Sequence, residues 1–441
     1  MKKVFAGIVL ILLVAGFCVP VINGIVMEKI IKKVYQDINT LHSDSGSDVS
    51  VEIVKYKRNF YSSSIEWKVK LRNMKSAYGV DDIVFSDQVS HGLLGVVSKT
   101  SMAGNSWYSD FVKDKLSGKD PLHITTEYKL LGDITSTVAL DAFSIENEGK
   151  VFNVLPASAV TSFDKELKNF TTKAWWDGLS LADELSIGRM TLNSKLEKIS
   201  TYIWAGDVSF VIKDGWAVEN AERVELVNLK NNYTLSFDKK KNILSVELST
   251  GAEKLKAGDD SLDDAFVRIG MRNMDGTAYE ECMRLYAKSV SSLMEEISGA
   301  EDDPEKIKAI VDKQMTVMGS QAMAAYGKLL KKDLEFFVSD MRGKMQSGEI
   351  KGNVSLRLNK DMTFVQFFPI LGQPAVAMDI FTLTSSLSFP AELTGDDSSL
   401  LTPFYPGMQT GVFEKDGEYL RHKAETRNGK LFLNGQEVLF Q

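Results

Sequence analysis

Cysteine and histidine are scarce in this chain, and that scarcity excludes several classes of protein. Two cysteines among 441 residues cannot build a disulfide-dense secreted scaffold. Four histidines, scattered as His42, His91, His123 and His422, leave too few ligands for a zinc centre or a histidine-based active site, so neither metal nor cofactor is expected. Positive charge is also short. The 52 Lys and Arg stand against 59 Asp and Glu, a formal −7, without the basic footprint that a phosphate backbone requires. Nucleic acid is therefore excluded as a partner. Catalytic spacings are missing as well, with no H-E-x-x-H, G-x-S-x-G, P-loop, G-x-G-x-x-G or C-x-x-C. Ser162-Phe163-Asp164-Lys165 and Ser236-Phe237-Asp238-Lys239 match S-x-x-K, but no S-D-N or K-T-G accompanies them. The acidic run Glu301-Asp302-Asp303 reads as a loop and helix cap rather than a hard-cation site. No catalytic residue emerges, and a non-enzymatic protein is expected.

What is present is globular, with 44% apolar and 25% charged residues and a length suited to about two or three domains. From Val4 to Ile22 there is no charge, and about 19 residues at roughly 1.5 Å each match a hydrocarbon core of about 30 Å. One transmembrane helix over 1–25 is expected. A cleaved signal lacks an A-x-A-like site, and Phe17 before Cys18 disfavours a lipoprotein signal. A long chain after a single apolar segment usually translocates, which puts the N-terminus in the cytoplasm and the body outside it. Met27, Ile30, Ile31, Val34, Ile38 and Leu41 then form an apolar helical stripe over 26–42, opposite Glu28, Lys29, Lys32, Lys33 and Asp37. Three seats are open to that stripe: the protein's own sheet, a second copy in a homodimer, or a membrane surface.

From 49 to 255 the pattern is mostly period two, cleanest in Ile65-Glu66-Trp67-Lys68-Val69-Lys70-Leu71, which predicts an antiparallel β-rich domain. All six tryptophans fall in it. Between 256 and 348 helical spacing takes over. Tyr279, Cys282, Met283, Tyr286, Val290, Leu293, Met294 and Ile297 mark one helix, Asp303-Pro304-Glu305 starts a second, and Met323 to Met345 reads as a third after Gly319-Ser320. Strand pattern returns in a C-terminal β region, 349–441. The uncharged stretch Met362 to Met378, with Pro369 and Pro374, reads as kinked edge strand and loop. Asp416-Gly417, Asn428-Gly429 and Asn434-Gly435 supply tight hairpin turns. The closing Glu437-Val438-Leu439-Phe440-Gln441 matches a protease tag site and carries no function. The fold class expected is α+β: a transmembrane helix, a mostly antiparallel β-rich body with a helical segment, and a C-terminal β region.

The stretch Tyr56-Lys57-Arg58-Asn59-Phe60-Tyr61-Ser62-Ser63, with His91-Gly92 downstream and Asn428-Gly429-Lys430-Leu431-Phe432-Leu433-Asn434-Gly435 near the end, resembles the Y-x-R-G-x-F-S-S, H-G-P and N-G-x-L-x-L-N-G signatures of the YdgA-like family. Asn59 stands in place of that family's glycine, Tyr61 of its phenylalanine and Leu93 of its proline. The resemblance implies a Gram-negative inner-membrane protein with a periplasmic body, and implies no reaction. Read from the residues alone, Tyr56 to Ser63 is a turn or bulge before a strand, with Arg58 held by a partner, and asparagine at 59 tolerates positive φ.

The function expected from these features is binding of a membrane lipid, an envelope lipoprotein or an outer-membrane component in a β-lined hydrophobic groove. Phe364, Phe367, Phe368, Met378, Met341 and Met345 are its candidate lining. A self-associating scaffold through the 27–41 stripe is the alternative, and an uncharacterised hydrolase a third.

Overall fold

The computed structural model describes residues 2–44, 49–71, 80, 82–102, 104–129, 132–147, 149–219, 222–298, 304–371, 373–394 and 411–439. Within these, side chains 2–18, 41–44 and 314–324, and those of Met294, Phe364 and Phe368 among others, lie outside the described residues. Strand dominates, at 58% against 22% helix, and every described ladder is antiparallel, as the period-two pattern requires.

A single helix, α1 (Lys2–Asp44), opens the chain. β1 (Val49–Arg58), β2 (Ser62–Leu71), β3 (Asp82–His91) and β4 (Gly95–Ser101) follow as a meander. After α2 (Ser106–Lys115), β5 (Leu122–Lys129) and β6 (Ile134–Leu140) extend it. β7 (Phe143–Asn147) and β8 (Lys150–Val154) make a hairpin, and β9 (Ala157–Phe163) returns beside β6 and pairs with β10 (Asn169–Trp176). Short β11 (Leu179–Leu181) and β12 (Leu185–Ile187) precede β13 (Met190–Lys198). Four long strands come next: β14 (Trp204–Glu219), β15 (Glu222–Asp238), β16 (Ile243–Ala257) and β17 (Asp260–Asp275). Helices α3 (Gly276–Ser298) and α4 (Pro304–Leu329) lead to β18 (Glu335–Met345) and β19 (Gly348–Leu358). Short α5 (Phe364–Leu371) and α6 (Pro374–Ile380) precede β20 (Phe381–Pro390). The chain closes with β21 (Glu414–Asp416), β22 (Tyr419–Arg427), β23 (Lys430–Leu433) and β24 (Gln436–Glu437).

Two compact units divide these elements. The first holds Met1–Ala182, Thr191–Trp204 and Tyr286–Met315; the second holds Asp183–Met190, Ala205–Leu285 and Thr316–Gln441. In the first, Met27 and Ile31, one helical turn apart, pack with Ile65, Val89 and Val96 of β2, β3 and β4, and Tyr35, Ile53, Tyr56, Trp67 and Tyr128 close around them. The amphipathic stripe is thus seated on the protein's own sheet. Asn39 fixes the helix to the edge of β1: its amide donates to Val51 O and accepts from Val51 N, both at 2.7 Å, replacing a neighbouring strand. In the second unit the turn residues behave as their chemistry dictates. Asp238 accepts from the amides of Lys240 and Lys241 between β15 and β16, and Asn428-Gly429 and Asn434-Gly435 adopt positive φ.

Several expectations are corrected. The transmembrane helix over 1–25 is one: among the described residues no helix is long and apolar enough to cross a membrane. That overturns the single-pass inner-membrane placement with a cytoplasmic N-terminus and periplasmic body. From Val19 onward α1 is amphipathic, with Asn23, Met27 and Ile31 buried and Lys29, Lys32 and Lys33 exposed. The helical segment of 256–348 begins only at Gly276, where the Asp275 carboxylate caps Ala278 N at 2.8 Å. Its expected break at Gly319-Ser320 lies inside α4. Met323 to Met345 is not one helix, because Asp333 takes positive φ and Phe336-Phe337-Val338 enters a strand. An aromatic and β-branched run suits a pleated surface better than a helix, and a bulge between Val338 and Met341 gives the strand its misleading helical spacing. Residues 362–378 form α5 and α6 rather than edge strand, with Pro374 at a helix start, where its missing N–H costs nothing.

Trp67 stacks on Phe85 at 4.3 Å and tilts against Tyr35 at 5.6 Å. Trp67→Ala should therefore destabilise the first unit by about 3–5 kcal/mol, read as a lower urea midpoint. An unchanged midpoint would place the packing elsewhere.

Candidate functional site

In the second unit, one face of the long strands carries apolar residues in register. Leu248 pairs with Ile269 and Val246 with Met271 across β16 and β17. Ile269 then pairs with Val338 and Met271 with Phe336 across β17 and β18. Phe336 pairs with Leu356 and Val338 with Val354 across β18 and β19. Together with Tyr233 of β15 and with Met274 and Tyr279 at one end, they line a cavity of about 730 Å³ in which no lining residue is charged. The floor is not sealed: Leu248, Ile269 and Phe336 keep 37%, 40% and 45% of their surface in solvent. Gly270 and Phe337 belong to the same lining: Gly270 makes room for the Phe337 ring, which a Cβ would approach to 2.6 Å, and the Arg272 guanidinium covers that ring at 3.9 Å. Burial raises the Tyr233 and Tyr279 hydroxyls above the ordinary phenol range, so both stay neutral donors.

The residues expected from sequence to line a groove do not line this cavity. Met341 and Met345 lie on β18 beyond its bulge and are not among the lining residues. Phe367 packs edge-on against Phe381 at 6.0 Å, and Met378 lies 3.8 Å from Thr426. The side chains of Phe364 and Phe368 lie outside the described residues. The apolar runs Ile269-Gly270-Met271 and Phe336-Phe337-Val338 were the available signal, but they mark an apolar strand without saying whether anything covers it.

The signature residues converge in the first unit. Tyr56 to Ser63 spans the end of β1, the tight turn and the start of β2, closed by Asn59 N donating to Ser62 O at 2.8 Å; Asn59 does not take positive φ. His91 N donates to Tyr61 O at 2.8 Å, and Ser63 Oγ and His91 Nε2 meet at 2.9 Å, both buried. Helix α1 lies over this pair. Asn23 Nδ2 donates to Gly92 O at 2.7 Å, and a Cβ on Gly24 would come within 2.4 Å of the His91 ring. Arg58 does find its partner, Glu28, at 2.8 Å, and Glu28 also holds Lys32. Sequence spacing could not reveal the serine–histidine pair, whose members are 28 residues apart. With the helix backbone in van der Waals contact above the imidazole there is no room for a substrate, and the pair locks α1 to β2 and β3. Of the stripe residues, Met27, Ile31 and Val34 are buried, Ile30 and Ile38 half-buried, and the Leu41 side chain lies outside the described residues.

Beneath α1 lies a buried polar cluster. Burial raises the Asp87 carboxyl, against the opposing pull of nearby Thr100, Trp67 and Ser98. Asp87 Oδ1, Trp67 Nε1 and Ser98 Oγ are each buried without a formed hydrogen bond among the described residues. Burial also raises Tyr35 and Tyr128, and the Asp87 charge adds to both. Burial lowers His91, the backbone at Phe60 opposing and Arg58 assisting.

The two S-x-x-K matches acquire structural explanations. Ser162 lies on β9, its hydroxyl 3.1 Å from that of Thr135, and the Asp164 carboxylate collects the amides of Glu166, Lys168 and Asn169. Ser236 ends β15. Among the described residues there is no cluster of three or more His, Cys, Asp or Glu side chains able to hold a metal ion.

A family described as a bacterial protein of unknown function, DUF945, matches residues 1–440. No curated protein and no solved structure matches the chain.

Two outcomes follow from the lock. Gly24→Ala should cost roughly 1–3 kcal/mol by overpacking on His91, seen as a lower unfolding midpoint; no change would mean that α1 is not seated there. His91 holds a depressed pKa in the fold, so the unfolded chain protonates first as pH falls. The neutral-imidazole contribution is complete well above about pH 6.5 and is lost as pH drops through that value toward the folded pKa. Between pH 7 and 5.5 the urea midpoint should fall more steeply in the native chain than in His91→Gln, and parallel curves would remove His91 from the account.

Proposed function

We infer, for a chain that belongs to the bacterial DUF945 family of unknown function, that its second unit binds a lipid or another extended apolar molecule on the β15–β19 face. One observation carries this: cross-strand apolar pairs that would be sealed in a core remain open to solvent at Leu248, Ile269 and Phe336. Leaving such a face wet forfeits about 25 cal/mol for each Å², and a ligand with an apolar body recovers it. The cavity volume falls within the range of small-molecule sites, roughly 300–1,000 Å³.

The lining also narrows the ligand class. A charge placed among these side chains would lose its hydration without gaining a partner, so the bound portion is uncharged, as an acyl chain is. The Tyr233 and Tyr279 hydroxyls are the polar handles available to orient a ligand ester or hydroxyl. They are weak nucleophiles held neutral by burial, which favours binding over chemistry.

The test is mass spectrometry of organic extracts from the purified chain, before and after Phe336→Glu and Ile269→Glu. Both variants should lose bound lipid while the unfolding free energy moves by less than about 0.5 kcal/mol, as at ordinary surface positions. Strong destabilisation would mean that this face is a covered core, and unchanged lipid would place the ligand elsewhere.

A further inference from the structure

A second cavity, of about 470 Å³, lies in the first unit, lined by residues 33–40 of α1, the β9–β10 turn and the β13–β14 connection. One wall is aromatic. Phe163 and Phe170 pair across β9 and β10 with their rings stacked at 5.6 Å, and Phe170 meets the Trp204 ring edge-on at 5.2 Å. Thr161 and Thr172, the next pair on the same sheet face, continue that wall with hydroxyls 3.1 Å apart. Helix α1 contributes Val34 and Ile38 with Lys33 and Asp37 beside them, and the β9–β10 turn contributes Glu166 and Leu167. The Asp164 carboxylate fixes that turn through the amides of Glu166 and Lys168, at 3.2 and 2.8 Å, and Leu167 is held at a φ of 54°. The lining is therefore formed in advance of any ligand.

We propose that this cavity binds an uncharged carbohydrate, one pyranose ring lying with its C–H face against the aromatic wall. The charges of the lining select that class. Asp37 and Glu166 stand against Lys33 and Lys198, so neither sign dominates and neither an anion nor a cation is favoured. The β15–β19 cavity has no charge in its lining; here an acyl chain would strip water from four charged groups and give nothing back. A sugar combines an apolar C–H face with a rim of hydroxyls that both donate and accept, and the cavity sets the two complementary surfaces side by side. Lys198 holds its ammonium over the Trp204 ring at 5.7 Å, a donor at the margin of the stacking surface. Glu166 turns to Lys168 at 2.6 Å. Asp37 is half-buried and, among the described residues, has neither a hydrogen-bond nor an ion-pair partner, so its carboxylate is the acceptor left for ligand hydroxyls. The volume lies within the range of small-molecule sites, roughly 300–1,000 Å³.

The experiment is saturation-transfer NMR on the full chain with two probes, maltotriose and tri-N-acetylchitotriose, which differ in their ring substituents and share uncharged pyranose chemistry. At least one should receive saturation that rises to a plateau with sugar concentration. Trp204→Leu keeps an apolar side chain but removes the ring, and should weaken that binding by about tenfold or more. Asp37→Ala, a change that a helix surface tolerates, should weaken it by about tenfold. Trp107→Ala, on α2 and outside the cavity lining, should leave it unchanged. If Trp204→Leu fails to fold, Asp37→Ala decides alone. No saturable transfer to either sugar overturns the proposal. So does transfer that persists at full strength in Asp37→Ala or in folded Trp204→Leu, or that falls equally in Trp107→Ala, because the sugar would then lie elsewhere.

Discussion

The seating of α1 on β2, β3 and β4 is the contact on which the first unit depends. Strands of ten residues with one apolar face need a cover, and Met27 and Ile31 provide it over Ile65, Val89 and Val96. A helix could slide along such a face, since apolar contacts are non-directional. Polar contacts fix its position: Asn23 on Gly92 O, Asn39 on Val51, Glu28 on Arg58, and the backbone of Gly24 against the His91 ring. The signature residues Tyr56, Arg58, Ser63, His91 and Gly92 therefore act together as a receptor for one helix. Their role is architectural in the first instance.

That docking has an energetic cost at its centre. Asp87 is buried beneath the helix, and the hydrogen-bonding groups of Thr100, Trp67 and Ser98 beside it offset only part of the cost of burying its charge. Asp87 and His91 also shift in opposite directions, both through burial of the charged form. Asp87 opposes the fold as pH rises above the ordinary carboxylate range, and His91 opposes it as pH falls below the ordinary imidazole range. Between the ordinary carboxylate and imidazole ranges both groups therefore weigh against the buried interface at once.

The second unit handles an apolar sheet face in the other way. Its strands are longer, β14 to β17 running to 15–17 residues, and the face spanning Leu248 to Leu356 keeps much of its surface in solvent. Phe337, packed against Gly270 and under Arg272, stiffens β17 and β18 within the cavity lining. A rigid, pre-formed apolar surface binds with little reorganisation, which is where affinity for a flexible chain molecule is gained.

Sequence alone determined the local rules. Alternation in Ile65 to Leu71 set a half-buried strand, the stripe from Met27 to Ile38 set an amphipathic helix with its buried side, and Asn-Gly pairs set the hairpins, because each depends on neighbours a few residues away. It misread Met323 to Met345, where a bulge imitates helical spacing, and the 362–378 stretch, where Pro374 opens a helix instead of breaking a strand. Nor could it bring Ser63 to His91, Gly24 to the imidazole, or Val246 and Leu248 beside Ile269, Phe336 and Leu356. Those meetings depend on strand register and on what covers each face. Only the tertiary structure decides that, because period-two alternation gives the same apolar face whether a helix, a ligand or water lies against it.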